Sequence, residues 1–373
     1  MFRQPYPVRR QGNSIFYNGK WLIDVASNDY LGLSHHSFLR KRAAEWAECY
    51  GTGSCASRLV NGTLDLHQQL EEKLARFKHN EAALLFATGW QANTSLIPAL
   101  NILSRQSTGH DALIFADRLN HASLHMGCTA AAIRQHRFRH NDLNHLEALL
   151  TQEASRPGLK FIITESVFSM DGDRADIKAL RTLADRFEAA LYIDEAHATG
   201  VLGPDGQGLG CGLADITIST ASKALGGMGA FITGSRELCD FLANFASGFV
   251  YSTALPPSVL GAIDAALELM PSLESTRLAL QHKAEFLRRE LARIGAKTGL
   301  STTQIIPVMV GEASNALTLA AYLREEGFFC TAIRPPTVPL HTARLRLALN
   351  AELTIDELRR LVSLLAATFR TPS

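Results

Sequence analysis

Between residues 80 and 235 short apolar runs alternate with longer amphipathic stretches. The runs are AALLF (82–86), ALIFA (112–116), KFIIT (160–164), ALYID (190–194), DITIST (215–220) and AFITG (230–234). Each has a strand's length and is bounded by Gly, Asp, Asn or Ser. Segments 143–154 and 177–189 instead carry a helical period; Leu180, Leu183, Ala184 and Phe187 recur at three- and four-residue spacing. Strands alternating with helices predict βαβ units, hence an α/β fold with a mostly parallel sheet covered on both faces. AFITG follows DITIST too closely for a crossover helix, so that pair is predicted to be antiparallel.

After Pro256 the pattern changes. It predicts a long helix over 257–295 broken near Pro271, strands over 304–310 and 343–349, and helices over 313–326 and 355–369. Residues 1–38 hold no βαβ unit. The expected plan is a large central domain (39–255) and a small α+β domain built from 1–38 and 256–373.

Length agrees, because 373 residues exceed what one core usually supports. With 46% hydrophobic and 20% charged residues the chain is globular, and a net charge of +1 gives no overall basic field for nucleic acid or an anionic membrane. No apolar run reaches membrane-spanning length, and the start MFRQPYPVRRQGN lacks a signal peptide's apolar core. The six cysteines are scattered without a CxxC pair, which predicts reduced thiols in a cytoplasmic protein rather than disulfides or a metal site.

Candidate chemistry gathers at predicted strand ends. Lys223, in STASKALGGMG, follows DITIST among small residues that can partly desolvate an amine and make it nucleophilic. Taken alone it reads more simply as a solvated loop lysine. Asp194 ends the ALYID strand 29 residues earlier, where open parallel sheets bind ligands. An acid in an apolar run needs a cationic partner, such as a protonated pyridine nitrogen, unless it merely caps a helix. His197 lies three residues on, within reach of a ring hydroxyl. In FATGWQAN (86–93), Thr88 and Gly89 open a helix whose N–H groups could hold a phosphate, although ordinary strand-to-helix turns look the same. His121, Ser169 and Thr220 stand at three more strand ends. These loops suit one phosphorylated aromatic cofactor, pyridoxal phosphate, with the lysine as its imine partner and the aspartate keeping its ring an electron sink.

At this point the sequence resembles the α-oxoamine synthases, fold type I pyridoxal-phosphate enzymes. The segments that carry the likeness are YPV (6–8), SNDYLGLSHH (27–36), GTGSCASRLVNGT (51–63), FATGWQAN, DRLNHASL (117–124), TESVFSMDGD (164–173), YIDEAHATGVLG (192–203), TASKALGG (220–227), YSTALPP (251–257), TAIRPPTVP (331–339) and TARLRLALN (342–350). They span nearly the whole chain.

The resemblance implies Lys223 as the Schiff-base lysine, Asp194 on the ring nitrogen and His121 stacked on the ring. It implies His197 and Ser169 near the ring oxygen, and Thr220 with the Gly89–Trp90 turn on the phosphate. Arg346 matches the arginine that holds an amino-acid carboxylate, and Arg334 and Thr337 match substrate-side positions. Asn28 and Glu165 are further candidates. Strand alternation puts Arg344 on the same face as Arg346, so pattern alone does not choose between them. Arg3 would align with a substrate-side arginine, but only five residues precede Tyr6, where relatives carry an extra helix. Trp90 stands where a smaller aromatic is usual. The resemblance also implies a homodimer with shared sites, Thr253 or Ser252 approaching the partner's phosphate.

AIRPPTVP and SNDYLGLSHH most resemble the member that condenses L-alanine with a pimeloyl thioester of coenzyme A or acyl carrier protein in biotin synthesis. Sister activities remain open: glycine with acetyl- or succinyl-CoA, or serine with a long acyl chain. A cofactor-binding regulator on the same scaffold is the alternative of another class, but the chain has neither a DNA-binding module nor a lost lysine. GTGSCA follows a helical stretch, not a strand, which argues against a dinucleotide fingerprint. HRFRH lacks the glutamate of HExxH, and no GxSxG occurs.

Overall fold

The structure, a computed structural model, describes residues 5–369. Arg3 lies outside the described residues. The chain divides into two compact units: a terminal unit (residues up to His35, Ser169–Arg174 and from Glu274 on) and a central unit (His36–Phe168 and Ala175–Leu273).

The terminal unit opens with an antiparallel meander, β1 (Arg9–Gln11), β2 (Ser14–Tyr17) and β3 (Lys20–Asp24). Its second turn is Asn18-Gly19, both at positive φ (48° and 81°), the left-handed pair that a two-residue hairpin needs.

The central unit follows with α1 (Ser37–Tyr50), α2 (Asp65–Phe77), β4 (Ala82–Phe86), α3 (Gly89–Thr108), β5 (Leu113–Asp117), α4 (Ala122–Ala130), β6 (Gln135–Phe138) and α5 (Leu143–Gln152). It continues through β7 (Lys160–Glu165), α6 (Ile177–Arg186), β8 (Ala189–Asp194), β9 (Ile216–Thr220), β10 (Ala230–Gly234), α7 (Arg236–Phe245), α8 (Ser247–Val250) and α9 (Pro257–Leu269). Its seven strands run in the order β4-β10-β9-β8-β7-β5-β6. Only β10 is antiparallel to its neighbours, as the short β9–β10 connection requires.

Period-two alternation separates the two faces. Ile114, Phe161 and Ile163 pack with Leu96, Ile97 and Leu100 of α3. Phe115, Ile162, Leu191 and Ile193 pack on the other face with Leu146 and Leu150 of α5 and Leu180 of α6. Each fully buried side chain of this size contributes about 1.5–3 kcal/mol. The parallel strands therefore deliver their carboxyl ends, and the loops beyond them, to one edge of a rigid sheet.

The terminal unit resumes with α10 (Glu274–Arg293), β11 (Ile305–Gly311), α11 (Ala313–Glu325), β12 (Phe328–Phe329), β13 (Thr331–Ile333), β14 (Ala343–Ala348) and α12 (Ile355–Phe369). β12 extends the meander alongside β3, and β11-β14-β13 form a second antiparallel sheet. All the expected strands and helices occur near their predicted limits, and the long helix breaks over Met270–Leu273.

The unit boundary differs from the expected one. It falls after Leu273 rather than 255, the N-terminal segment ends at 35 rather than 38, and Ser169–Arg174 leaves the central span for the terminal unit. The first difference has a clear cause. α9 buries Leu260 and Ile263, and its buried Asp264 pairs with Arg42 of α1 and Lys73 of α2, so α9 belongs to the central unit. Gly172 explains the last. Its φ is 68° and an added Cβ would lie 1.9 Å from the Ile305 carbonyl oxygen, so a backbone-on-backbone contact ties this segment to β11. No helix among the described residues is long and apolar enough to cross a membrane.

Candidate active site

In the central unit, Asp194 is the last residue of β8 and is buried. One carboxylate oxygen accepts the Ala196 N–H (2.9 Å) and the other accepts Asn93 Nδ2 (2.9 Å). Glu165 ends the neighbouring β7 directly opposite it and accepts the His121 N–H (2.6 Å). Burial, reinforced by the Asp194 charge, pushes the Glu165 carboxyl well above its ordinary range. The sheet thus ends in one carboxylate braced by donors and one carboxyl held toward its neutral form.

Lys223 follows β9 in a tight turn closed by Ala221 N–H to Gly229 O and Gly226 N–H to Lys223 O, both 2.9 Å. It is half-buried, with Ala221, Ala224 and Leu225 buried around it. Its charge acts on both His121 and Glu165, so Lys223, Asp194, Glu165 and His121 share one electrostatic neighbourhood. Thr220, at the end of β9, donates to Gly229 O (3.0 Å), accepts the Ser222 N–H (3.1 Å) and lies 2.6 Å from the Ser222 hydroxyl.

Thr88 caps α3 by accepting the Gln91 N–H (3.0 Å), which leaves Gly89 and Trp90 as its first helical residues. Trp90 is exposed and stands edge-on to the His121 ring at 6.3 Å. His121 caps α4. The residue is exposed, yet desolvation by the packing around it lowers the imidazole pKa from its ordinary value. His197 is buried in the turn after Asp194, where the Ala198 and Thr199 N–H groups both bond Glu195 O. Thr253 is exposed and pairs with Ser57 through the backbone, while Ser252 Oγ accepts Gln91 Nε2 (2.7 Å).

In the terminal unit, β14 carries both arginines, both buried, and their surroundings separate them. Arg344 forms an ion pair with Asp171. Arg346 donates to the backbone carbonyl of Ser169 (2.6 Å) and to Asn28 Oδ1 (3.0 Å), and also bonds Tyr30. Every one of these partners is a neutral oxygen. Arg346 is therefore a buried cation with no carboxylate among its partners in the described residues. Asn28, a further candidate from the sequence, is one of these partners. Ser169, expected near the ring oxygen, lies in the same unit as Arg346 and accepts its guanidinium N–H through the backbone carbonyl. Arg334 and Thr337 share one turn, closed by Thr337 N–H to Arg334 O (3.1 Å).

Sequence reasoning missed Asn93, Ser123, Gln91, Tyr30 and Tyr192. Asn93 had a usable signal. It lies four residues after Gly89 at the start of α3, so helical periodicity places it on the same side of the helix. Tyr192 sits inside an apolar run and gives no such sign.

These groups fit a phosphorylated pyridine aldehyde. A donor-braced carboxylate suits a pyridinium N–H, a half-buried amine suits an imine-forming carbonyl, an exposed imidazole suits an aromatic ring, and a helix start beside hydroxyls suits a phosphate. Among the described residues no cluster of three metal-ligating side chains occurs.

Comparison with known proteins agrees. The family described as Aminotransferase class I and II matches residues 20–365. The 8-amino-7-oxononanoate synthase of Gluconacetobacter diazotrophicus is 58% identical over 94% of this chain and 90% of its own. That of Geobacter sulfurreducens is 45% identical over 95% and 91%. Among solved structures, 8-amino-7-oxononanoate synthase from Francisella tularensis superposes with a TM-score of 0.79 at 28% identity, covering 93% of this chain and 97% of that one. Serine palmitoyltransferase from Sphingomonas wittichii does so with 0.91 at 26%, over 99% and 93%. The chain thus belongs to the class I and II aminotransferase family with the fold of type I pyridoxal-phosphate enzymes, among the 8-amino-7-oxononanoate synthases.

Proposed function

We propose that this chain condenses L-alanine with a pimeloyl thioester, releasing carbon dioxide and the thiol carrier, to give 8-amino-7-oxononanoate for biotin synthesis. The observation that carries the amino-acid half is Arg346, a buried guanidinium surrounded by neutral oxygens. An uncompensated buried cation is costly, and a bidentate α-carboxylate would compensate it. Identity of 45–58% to relatives named 8-amino-7-oxononanoate synthase supports the choice of reaction.

Bound pyridoxal phosphate supplies a carbonyl that takes up amines and a pyridinium that withdraws electrons. Lys223 would hold that carbonyl until alanine replaces it, and its freed amine would then accept the proton from the alanine Cα. The charges of the neighbourhood favour this, because the Asp194 carboxylate would keep a ring nitrogen positive. His121 would cover one ring face, His197 would serve the ring oxygen, and Thr220 with the Gly89–Trp90 turn would hold the phosphate. Arg346, steadied by Asn28 and the Ser169 carbonyl, would fix which Cα bond breaks first. Arg334 and Thr337 would serve the acyl side. We further propose a cytoplasmic homodimer that shares its sites, with Thr253 at the partner's phosphate.

The test is direct. Purified enzyme with L-alanine and pimeloyl-CoA or pimeloyl-acyl carrier protein should release carbon dioxide and the oxononanoate, and Lys223→Ala should abolish turnover. Preference for glycine or serine over alanine would move the enzyme to a sister activity.

A further inference from the structure

Two of the groups described above come from separate loops, yet one side chain joins them. Asn93, buried on the first turns of α3, donates through Nδ2 to Asp194 Oδ2 (2.9 Å) and to Ser123 Oγ (2.9 Å). On its other side Oδ1 accepts the Tyr192 hydroxyl. Ser123 Oγ lies 2.8 Å from His121 Nδ1, and the Ser123 N–H also points at that nitrogen (3.3 Å).

The direction of every bond follows from what each group can give. A carboxylate oxygen only accepts, so the amide group facing Asp194 is the NH2 and not the carbonyl. Its second hydrogen goes to Ser123 Oγ. The amide oxygen therefore faces Tyr192, whose hydroxyl must donate. Burial and the Asp194 charge hold that phenol well above its ordinary pKa, so the hydroxyl keeps its proton. The Ser123 backbone N–H can only donate, so the His121 Nδ1 it faces must present a lone pair. Ser123 Oγ, which accepts from Asn93, then gives its own hydrogen to that same nitrogen.

We infer that Asn93, acting through Ser123, fixes His121 as a neutral imidazole with its proton on Nε2. Protonation at Nδ1 would turn an N–H against two donors. The charged or titratable groups around the ring are Asp194, Lys223, Glu165 and His125. The lowered pKa of His121 agrees with the neutral state. Asn93 and Ser123 are positioning residues. The relay stops the ring from flipping and ties its orientation to that of Asp194. If the ring covers a pyridinium, as proposed above, a neutral face avoids stacking cation on cation. That consequence rests on the proposed function; the tautomer does not.

The experiment is long-range proton–nitrogen NMR on protein carrying 15N-histidine, with and without pyridoxal phosphate, His121→Gln identifying the signals. The expected pattern is a pyridine-type Nδ1 and a pyrrole-type Nε2 from about pH 6 to 8, the range in which a free imidazole titrates. Ser123→Ala removes one donor and barely alters volume, so it should fold. In it the ratio of the Nδ1–H to the Nε2–H form should rise about tenfold, the equivalent of a net hydrogen bond. An imidazolium or an Nδ1–H form in the unmodified protein would overturn the inference. So would a Ser123→Ala spectrum identical to the parent's. Because the spectrum is also read without cofactor, failure of the proposed reaction leaves this result standing, and the reverse holds too.

Discussion

Single residues in this chain are distinguished by what surrounds them more than by type. Arg344 and Arg346 share a strand face, but one has a carboxylate partner and the other has neutral oxygens. Arg346→Lys keeps the charge and loses the planar fork, so alanine affinity should fall at least about tenfold, whereas Arg344→Lys should leave it near the parent value. Paired alanine titrations followed by absorbance check this, and the opposite order would transfer the role to Arg344. His67 gives a second case. Its Nδ1 accepts the Leu64 N–H (3.1 Å) and its Nε2 meets Leu255 O (3.1 Å), which fits only the neutral ring. Burial, then the Arg58 charge, lowers its pKa to about 4. The unfolded chain, titrating near the usual 6.5, binds a proton over that interval and the folded chain does not. Stability should therefore be full above about pH 6.5 and fall as pH drops toward 4, by up to about 3 kcal/mol. Thermal unfolding between pH 7 and 5 should show the loss, and His67→Gln should flatten it. The sequence pointed to Lys223, Asp194 and His121 because strand ends expose them, and it was silent on His67 and Tyr192. Their roles come from contacts made across many residues of chain, which periodicity does not carry.

Elements matter here as carriers of strand-end turns, and the turn after β8 is the most heavily tied. Glu195 follows Asp194 and is fully buried. It pairs with the equally buried Lys78 at 2.5 Å and accepts the Leu209 and Gly210 N–H groups (2.6 and 2.8 Å). Lys78, just past the end of α2, also reaches Thr199 Oγ1 (3.3 Å). Gly208 has φ of 95°, and a Cβ there would lie 2.1 Å from Glu195 Oε2, so only glycine lets the loop close on the pair. The positions of Asp194 and His197 on either side of Glu195 thus depend on a fully buried ion pair. Glu195→Gln or Lys78→Met each leaves one buried charge unpaired, a cost of about 3–5 kcal/mol. Each single variant should unfold at least about 6 °C lower, and the double variant should recover more than half of that. Calorimetry decides, and single variants melting at the parent temperature would reject the buried pair. The strands and the β8 turn were legible from short apolar runs and from Asp-x-x-His. The pairing of residue 78 with 195 was not, because no local pattern relates a helix end to a loop 117 residues on.

At the scale of the whole molecule, the central unit exposes several large apolar side chains. Tyr251 is 84% exposed and Val60 77%, with Leu59 and Trp90 about half exposed. They are neighbours. The backbone bridge from Ser57 to Thr253 joins the turn that carries Leu59 and Val60 to the one that carries Tyr251, and the Gln91–Ser252 hydrogen bond ties both to the start of α3. Side chains this apolar gathered at one place mark an interaction surface. Closed two-fold dimers are the commonest way for a chain to cover such a patch with itself. The patch includes Trp90 of the Gly89–Trp90 turn and lies beside the exposed Thr253, so in the proposed dimer a second copy seated there would meet both. The paired change Val60→Asp and Tyr251→Asp buries nothing new and removes no internal partner, so the fold should survive. Light scattering across dilution should then read a dimer for the parent and a monomer for the variant. If the phosphate end is shared, the monomer should also hold pyridoxal phosphate at least about tenfold more weakly, read by cofactor loss on dialysis. A parent that stays monomeric and fully active at every concentration would remove the shared site, and a variant monomer that keeps its cofactor as tightly as the parent would confine the whole phosphate site to one chain.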